Sequence, residues 1–173
     1  MTEAGEWAKV QGTAICDSAE KRVSYTLPSS LDSPQQAEEA AVKFAASLGF
    51  APDELQEIAI AVREAVVNAV LHGNAFQPDK TVQVTFECKP EALEITIGDQ
   101  GTGFDPEQVP DPRTPENLLK QTGRGIFLMR ACMDEVRCHK TNPGTEMVLI
   151  KRVRGVSAGA RERIERCEPG SAS

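Results

Sequence analysis

The segment that most restricts the fold is PDELQEIAIAVREAVVNAVLHG, residues 52 to 73. Its apolar residues recur with a helical period, a proline and acidic residues open it where the helix dipole favours them, and a glycine closes it. Between positions 58 and 71 only Arg63, Glu64 and Asn68 interrupt an aliphatic run. A helix this long and this apolar has to be covered by a sheet or by other helices. Glu64 and Asn68 are four apart, hence about 40° apart around the axis, and Glu57 lies two turns back near the same line. One narrow polar stripe therefore runs along a buried cylinder. It fits two readings. It is a solvent-facing edge, or it lines a wet cleft in which a carboxylate accepts a proton and an amide oxygen ligates a hard cation.

The segments around this helix predict a single domain of the α+β class. RVSYTLP alternates Val23, Tyr25 and Leu27 as a strand does, and SPQQAEEAAVKFAASLG reads as a helix with Ser33 as N-cap, Pro34 at its first position and Gly49 as its stop. TVQVTFEC and ALEITIGD alternate cleanly and are joined by KPE, which predicts an antiparallel hairpin. GRGIFLMRACMD reads as a helix, and EVRCHKT and TEMVLIKR as a last strand pair around NPG. Alternation in the strands argues for a mainly antiparallel sheet in a two-layer arrangement with helices on one face, because an all-parallel sheet would read as continuous aliphatic runs. Residues 1 to 20 are expected to form an N-terminal extension, 21 to 153 the domain, and 154 to 173 a disordered tail.

Composition narrows the function. Nineteen basic against twenty-six acidic residues give a net charge of -7, which works against binding a nucleic-acid backbone. No apolar run is long enough to cross a bilayer and the first ten residues lack a signal core, so the expectation is a cytoplasmic protein without membrane contact. Five cysteines without a C-x-x-C pair and two distant histidines, His72 and His139, give neither a disulfide framework nor a zinc signature. A metal, if bound, would be an oxygen-ligated ion.

Three further stretches could carry chemistry. In GDQGTGFD the glycines at 98, 101 and 103 let the backbone approach a ligand closely, directly after a strand, and Asp99 stands at the strand end as a buried acceptor. Calcium-loop spacing fails there, since Gly101 and Gly103 stand where oxygen ligands belong. TGRGIF sets two glycines around Arg124 where a helix begins, which is either an anion site or a plain turn. NPGTEM has no weight in isolation beyond a hairpin turn.

Together and in this order these stretches resemble the nucleotide-binding boxes of the gyrase, Hsp90, histidine kinase and MutL ATPase superfamily. EAVVNAVLHG is similar to its asparagine box, DQGTG to its first glycine box, GRGIFLM to its second and GTEM to its last, over about residues 22 to 152. Within the superfamily the chain most resembles the anti-sigma-factor serine/threonine protein kinases. The resemblance implies the Bergerat ATP-binding fold, ATP and Mg²⁺ as cofactors, and a homodimer built around Val23 to Leu48. It also implies two partners, a sigma factor and a STAS-type anti-sigma-factor antagonist that is phosphorylated on serine.

By the same resemblance Glu64 would be the general base, Asn68 would bind Mg²⁺, and Asp99 would accept a hydrogen bond from the adenine amine while repelling guanine. Gly101 and Gly103 would bend the chain around the base, with Thr145 helping to hold it. Gly123 and Gly125 would hinge a lid over residues 105 to 123, Ile126 would belong to the cofactor-binding set, and Arg124 would contact phosphate, with Arg113 and Lys120 in support. Two alternatives stand beside the kinase: a non-catalytic ATP-sensing module, for which Glu64 would have no use, and a stand-alone domain of the histidine-kinase type, which would leave acid-labile phosphohistidine on its target.

Overall fold

The computed structural model describes residues 21–102 and 124–153. Five strands and three helices alternate along it: β1 (Arg22–Pro28), α1 (Ser33–Ser47), α2 (Pro52–Asn68) continuing into a π-helical turn (Ala69–Gly73), β2 (Thr81–Lys89), β3 (Ala92–Gly98), α3 (Arg124–Cys132), β4 (Glu135–Lys140) and β5 (Thr145–Arg152). The strands form one antiparallel sheet in the order β1-β2-β3-β5-β4. This is the α+β, mainly antiparallel arrangement that the strand alternation predicts.

Each strand gives alternate residues to the helical layer. Val23, Tyr25 and Leu27 lie opposite Phe86, Val84 and Val82, and Ile95 and Ile97 lie opposite Leu149 and Met147. Against this face pack Phe44 of α1, Ile58, Val62 and Val66 of α2, and Met129 of α3. Phe86, wholly buried, stacks on Phe44 at 5.6 Å and meets the edge of Tyr25 at 5.8 Å. Burying each such side chain contributes about 1.5–3 kcal/mol, and α2 supplies the largest helical share of the core. On the other face the β1–β2 edge is polar, with Ser24 bonded to Thr85 and Thr26 to Gln83, both at 3.0 Å, while Val148 and Ile150 of β5 are buried.

Local signals set most boundaries. Glu54 reaches back to the Ala51 N–H at 2.9 Å, half of a capping box, and Pro52 opens α2. Gly49, at φ +87°, ends α1 as expected. Ser33 does not act as the N-cap. The cap position falls on Asp32 without a side-chain bond, while Ser33 is buried and donates to the Pro28 carbonyl at 2.6 Å, tying the loop after β1 to the helix start. The helix predicted through Gly73 is α-helical only as far as Asn68. Beyond it the turn widens, with Asn74 N–H donating to Ala69 O at 2.7 Å. Such widened turns inside helices recur at functional sites. The extension, the tail and the segment 103–123 lie outside the described residues.

Candidate functional site

Two corners of the fold gather the residues singled out by sequence. The first forms where β3 ends beside the π-helical turn and the start of β5. Asp99 N–H donates to Thr145 O at 2.9 Å, and its carboxylate Oδ1 accepts from Gly101 N–H at 2.8 Å and Thr145 N–H at 3.2 Å. Among the described residues Oδ2 has no such donor. Glycines close in from two sides. A methyl group built on Gly73 would run into the Asp99 carboxyl group, and one on Gly144, at φ +97°, would run into the Asp99 carbonyl oxygen. Gly101 is pressed against the Gly73 carbonyl in the same way. Only glycine permits these approaches.

Burial pushes the Asp99 carboxyl above its ordinary value of 3.8, and the Gly101 and Thr145 N–H bonds and the charge of Lys80 pull it partly back. The result is a half-buried acceptor with one oxygen committed to the backbone. Its unengaged oxygen suits a ligand N–H donor, and it would repel a carbonyl.

The second corner is the polar stripe of α2. Glu64 and Asn68 are half-buried, and they face the first turn of α3. A methyl group on Gly125 would lie 2.9 Å from Glu64 Oε2 and 3.4 Å from Asn68 Nδ2. Glu64 and Asn68 thus lie against another element of the fold and keep partial exposure. Glu57, on the same line, has a different use. It accepts from Lys151 Nζ at 2.5 Å, far from Glu64 along the helix. Arg124 is exposed at the first position of α3. Ile126 is buried in the core, so any contact it makes with a ligand runs through its backbone N–H at the helix start.

Asn68 and Glu64 offer an amide oxygen and a carboxylate, hard donors of the kind Mg²⁺ takes alongside nucleotide phosphates. No group of three His, Cys, Asp or Glu set to hold a metal occurs among the described residues. Gly103, Gly123, Arg113 and Lys120 lie outside the described residues. His72 and His139 are exposed, His72 on the π-helical turn and His139 in β4.

Sequence reasoning missed Asn74. Fully buried, it donates from Nδ2 to Thr81 O at 2.9 Å and accepts at Oδ1 from Gln100 N–H at 2.8 Å, while Gln100 Oε1 accepts from Thr81 N–H at 2.8 Å. This network fastens the π-helical turn to β2 and to the residue after Asp99. An asparagine directly after a helix-stopping glycine was the available signal.

Residues 27–151 match the family model described as the histidine kinase-like ATPase domain. The chain belongs to that family. It is 33% identical over 117 residues to the serine-protein kinase RsbW of Bacillus velezensis, covering 64% of this chain and 72% of that protein. It is 32% identical over 143 residues to the anti-sigma F factor of Clostridium beijerinckii, covering 80% of this chain and 99% of that protein. The RsbW of Bacillus licheniformis is 40% identical over 101 residues, covering 54% of this chain and 62% of that one. Kinship of this breadth makes the chain a serine/threonine protein kinase by class. Its fold is shared with a crystal structure of the RsbU and RsbW domains of a Mycobacterium tuberculosis protein, with a TM-score of 0.55 at 18% identity. The match covers 76% of this chain and about a third of that one.

Proposed function

We propose that this chain is an ATP- and Mg²⁺-dependent serine/threonine protein kinase of the anti-sigma-factor type. It phosphorylates a serine of an anti-sigma-factor antagonist and sequesters a sigma factor, as a cytoplasmic homodimer with no direct contact to nucleic acid or membrane. The partner assignment rests on the names of the relatives, RsbW and anti-sigma F factor. Among the described residues no helix is long and apolar enough to cross a membrane.

The observation that carries the catalytic reading is the meeting of Glu64, Asn68 and Gly125. It sets a carboxylate and an amide against the first turn of a helix, where backbone N–H groups favour anions. In this reading Asp99 accepts from the adenine amine, and Gly73, Gly101 and Gly144 leave room for the carboxylate and its loop. Asn68 helps to hold Mg²⁺, which when bound offsets the charge of the phosphates. Glu64 takes the proton of the substrate serine or orients it. Arg124 binds a phosphate oxygen, and Thr145 helps to hold the base.

The test is isothermal titration with ATP, GTP, and ATP without Mg²⁺, followed by transfer of labelled phosphate to candidate antagonists. Adenine-selective, Mg²⁺-dependent binding with acid-stable phosphoserine in the product supports the proposal. Acid-labile product would point to histidine phosphorylation instead. Absence of nucleotide binding under every condition would overturn it.

A further inference from the structure

Lys151 is the most buried charged side chain described, 4% exposed at the end of β5. A lysine that deep needs partners, because an unpaired buried charge is strongly disfavoured. It has two. Nζ donates to Glu57 Oε2 at 2.5 Å and to the Cys132 carbonyl at 2.7 Å. Glu57 belongs to α2, and Cys132 is the last residue of α3, one of the carbonyls that a helix leaves unsatisfied and where a cation is favoured. One ammonium group thus joins the sheet, the central helix and the C-terminus of α3.

The other end of α3 lies at the reactive corner, with Gly125 against Glu64 and Asn68. Glu57 and Glu64 are seven residues apart, two turns or about 10 Å along α2, and α3 bridges that span antiparallel to α2. α3 is held along this span by Ile126 and Met129 in the core and at its C-terminal end by Lys151, so a shift at the Lys151 end tilts its first turn relative to Glu64. Two further bonds hold the C-terminal end of α3 to β5: Asp134 N–H to Ile150 O at 2.9 Å, and Arg152 N–H to Asp134 Oδ2 at 2.7 Å. They attach the chain after α3 to the strand without touching α2, whereas the Lys151 ammonium reaches both α3 and α2.

We infer that Lys151 and Glu57 form a positioning pair, which sets the approach of the α3 N-terminus to Glu64 and Asn68 and thereby governs phosphate binding without touching the nucleotide. The inference rests on the proposed ATP site. The base corner around Asp99 is built from β3, the π-helical turn and β5 backbone, so it does not depend on this pair.

The experiment compares ATP and adenosine affinities by titration calorimetry in wild type, Lys151→Met, Glu57→Ala and Glu57→Gln, with circular dichroism as the folding check. Wild type binding ATP more tightly than adenosine is the reference; if it binds neither, the site reading itself fails. The expected result is a five- to fifty-fold loss of ATP affinity in Lys151→Met and Glu57→Ala, with adenosine affinity within two-fold of wild type. Glu57→Gln, which keeps the hydrogen bond, is expected to stay close to wild type. Should Lys151→Met not fold, Glu57→Ala decides alone, since Glu57 is about half exposed and its loss leaves Lys151 bonded to Cys132. Equal losses for ATP and adenosine, or unchanged ATP affinity in a folded variant, would overturn the inference.

Discussion

The two corners of the site are built from different materials. Around Asp99 the contacts are backbone N–H groups, carbonyls and glycine Cα atoms, so the geometry there is fixed by chain path. Around Glu64 and Asn68 they are side-chain ends and one glycine, and the facing helix is held from its far end. Under the proposed function, a ligand group recognised by shape would be met by backbone, and a reacting group that changes charge would be met by side chains that can adjust.

Substitutions should separate the two corners. The largest effect is expected from Glu64→Ala, which should lower the rate of phosphotransfer by roughly 10²- to 10⁴-fold and leave ATP affinity near wild type. Full activity in a phosphate-transfer assay would show that Glu64 is not the base. Next comes a contrast of two glycines. Gly144→Ala forces a methyl into the Asp99 backbone at positive φ and should cost about 1–3 kcal/mol of stability in denaturant titration. Gly125→Ala meets the Glu64 and Asn68 side-chain ends first, so its cost should appear in the transfer rate and hardly at all in stability. Equal destabilisation by both would erase the contrast drawn here.

Asp99→Asn keeps an oxygen for the Gly101 and Thr145 N–H groups but loses the charge. ATP binding should weaken by about 1.5–3 kcal/mol in calorimetry. The ligand-free protein should be no less stable, and more stable above the raised carboxyl value, because the costly buried charge is gone. A pH series adds the sign. Since burial raises the folded-state value, the stability this group contributes is present in full below the unfolded value and is lost as pH rises through the folded one. Nucleotide affinity runs the other way and should fall as pH drops through that raised value, as the acceptor takes up a proton. In Asp99→Asn this part of the pH dependence should be absent.

The smallest effect concerns the loop after the π-helical turn. Ala75 and Phe76 both sit at positive φ, 49° and 55°, within a turn closed by Gln77 N–H on Asn74 O at 3.0 Å. Each costs energy that glycine would not, so Ala75→Gly should raise stability by several tenths of a kcal/mol in thermal unfolding despite the greater entropy of the unfolded chain. A loss would mean that the αL conformation carries less strain than its dihedrals imply.

Much of this was legible beforehand because it is local. The alternation in RVSYTLP marked β1 at its observed ends, and Gly49 stopped α1 where positive φ was needed. The asparagine box announced its polar stripe through four-residue spacing. What was not legible depends on residues far apart in the chain. Asn74 finds Gln100 across 26 positions and Lys151 finds Glu57 across 94, and neither pairing has a sequence period. Lys151 reads as a surface residue at a strand end, although its parity with Met147 and Leu149 places it on the helical side of the sheet. Ser33 looked like a cap because its type and position suit one, and a carbonyl five residues back claimed its hydroxyl.

Strand β5 begins at Thr145, whose N–H meets Asp99, and reaches Lys151, which meets α2 and α3. The two residues are six apart and share a side of the sheet, separated by about 20 Å of extended chain. The strand is therefore a ruler between the Asp99 corner and the Lys151–Glu57 pair, graduated in steps of two residues. Inserting or deleting a single residue within it would turn Lys151 outward while Thr145 stayed in place. Lineages of such chains should tolerate length changes in the hairpin after β2 and reject them between Thr145 and Lys151.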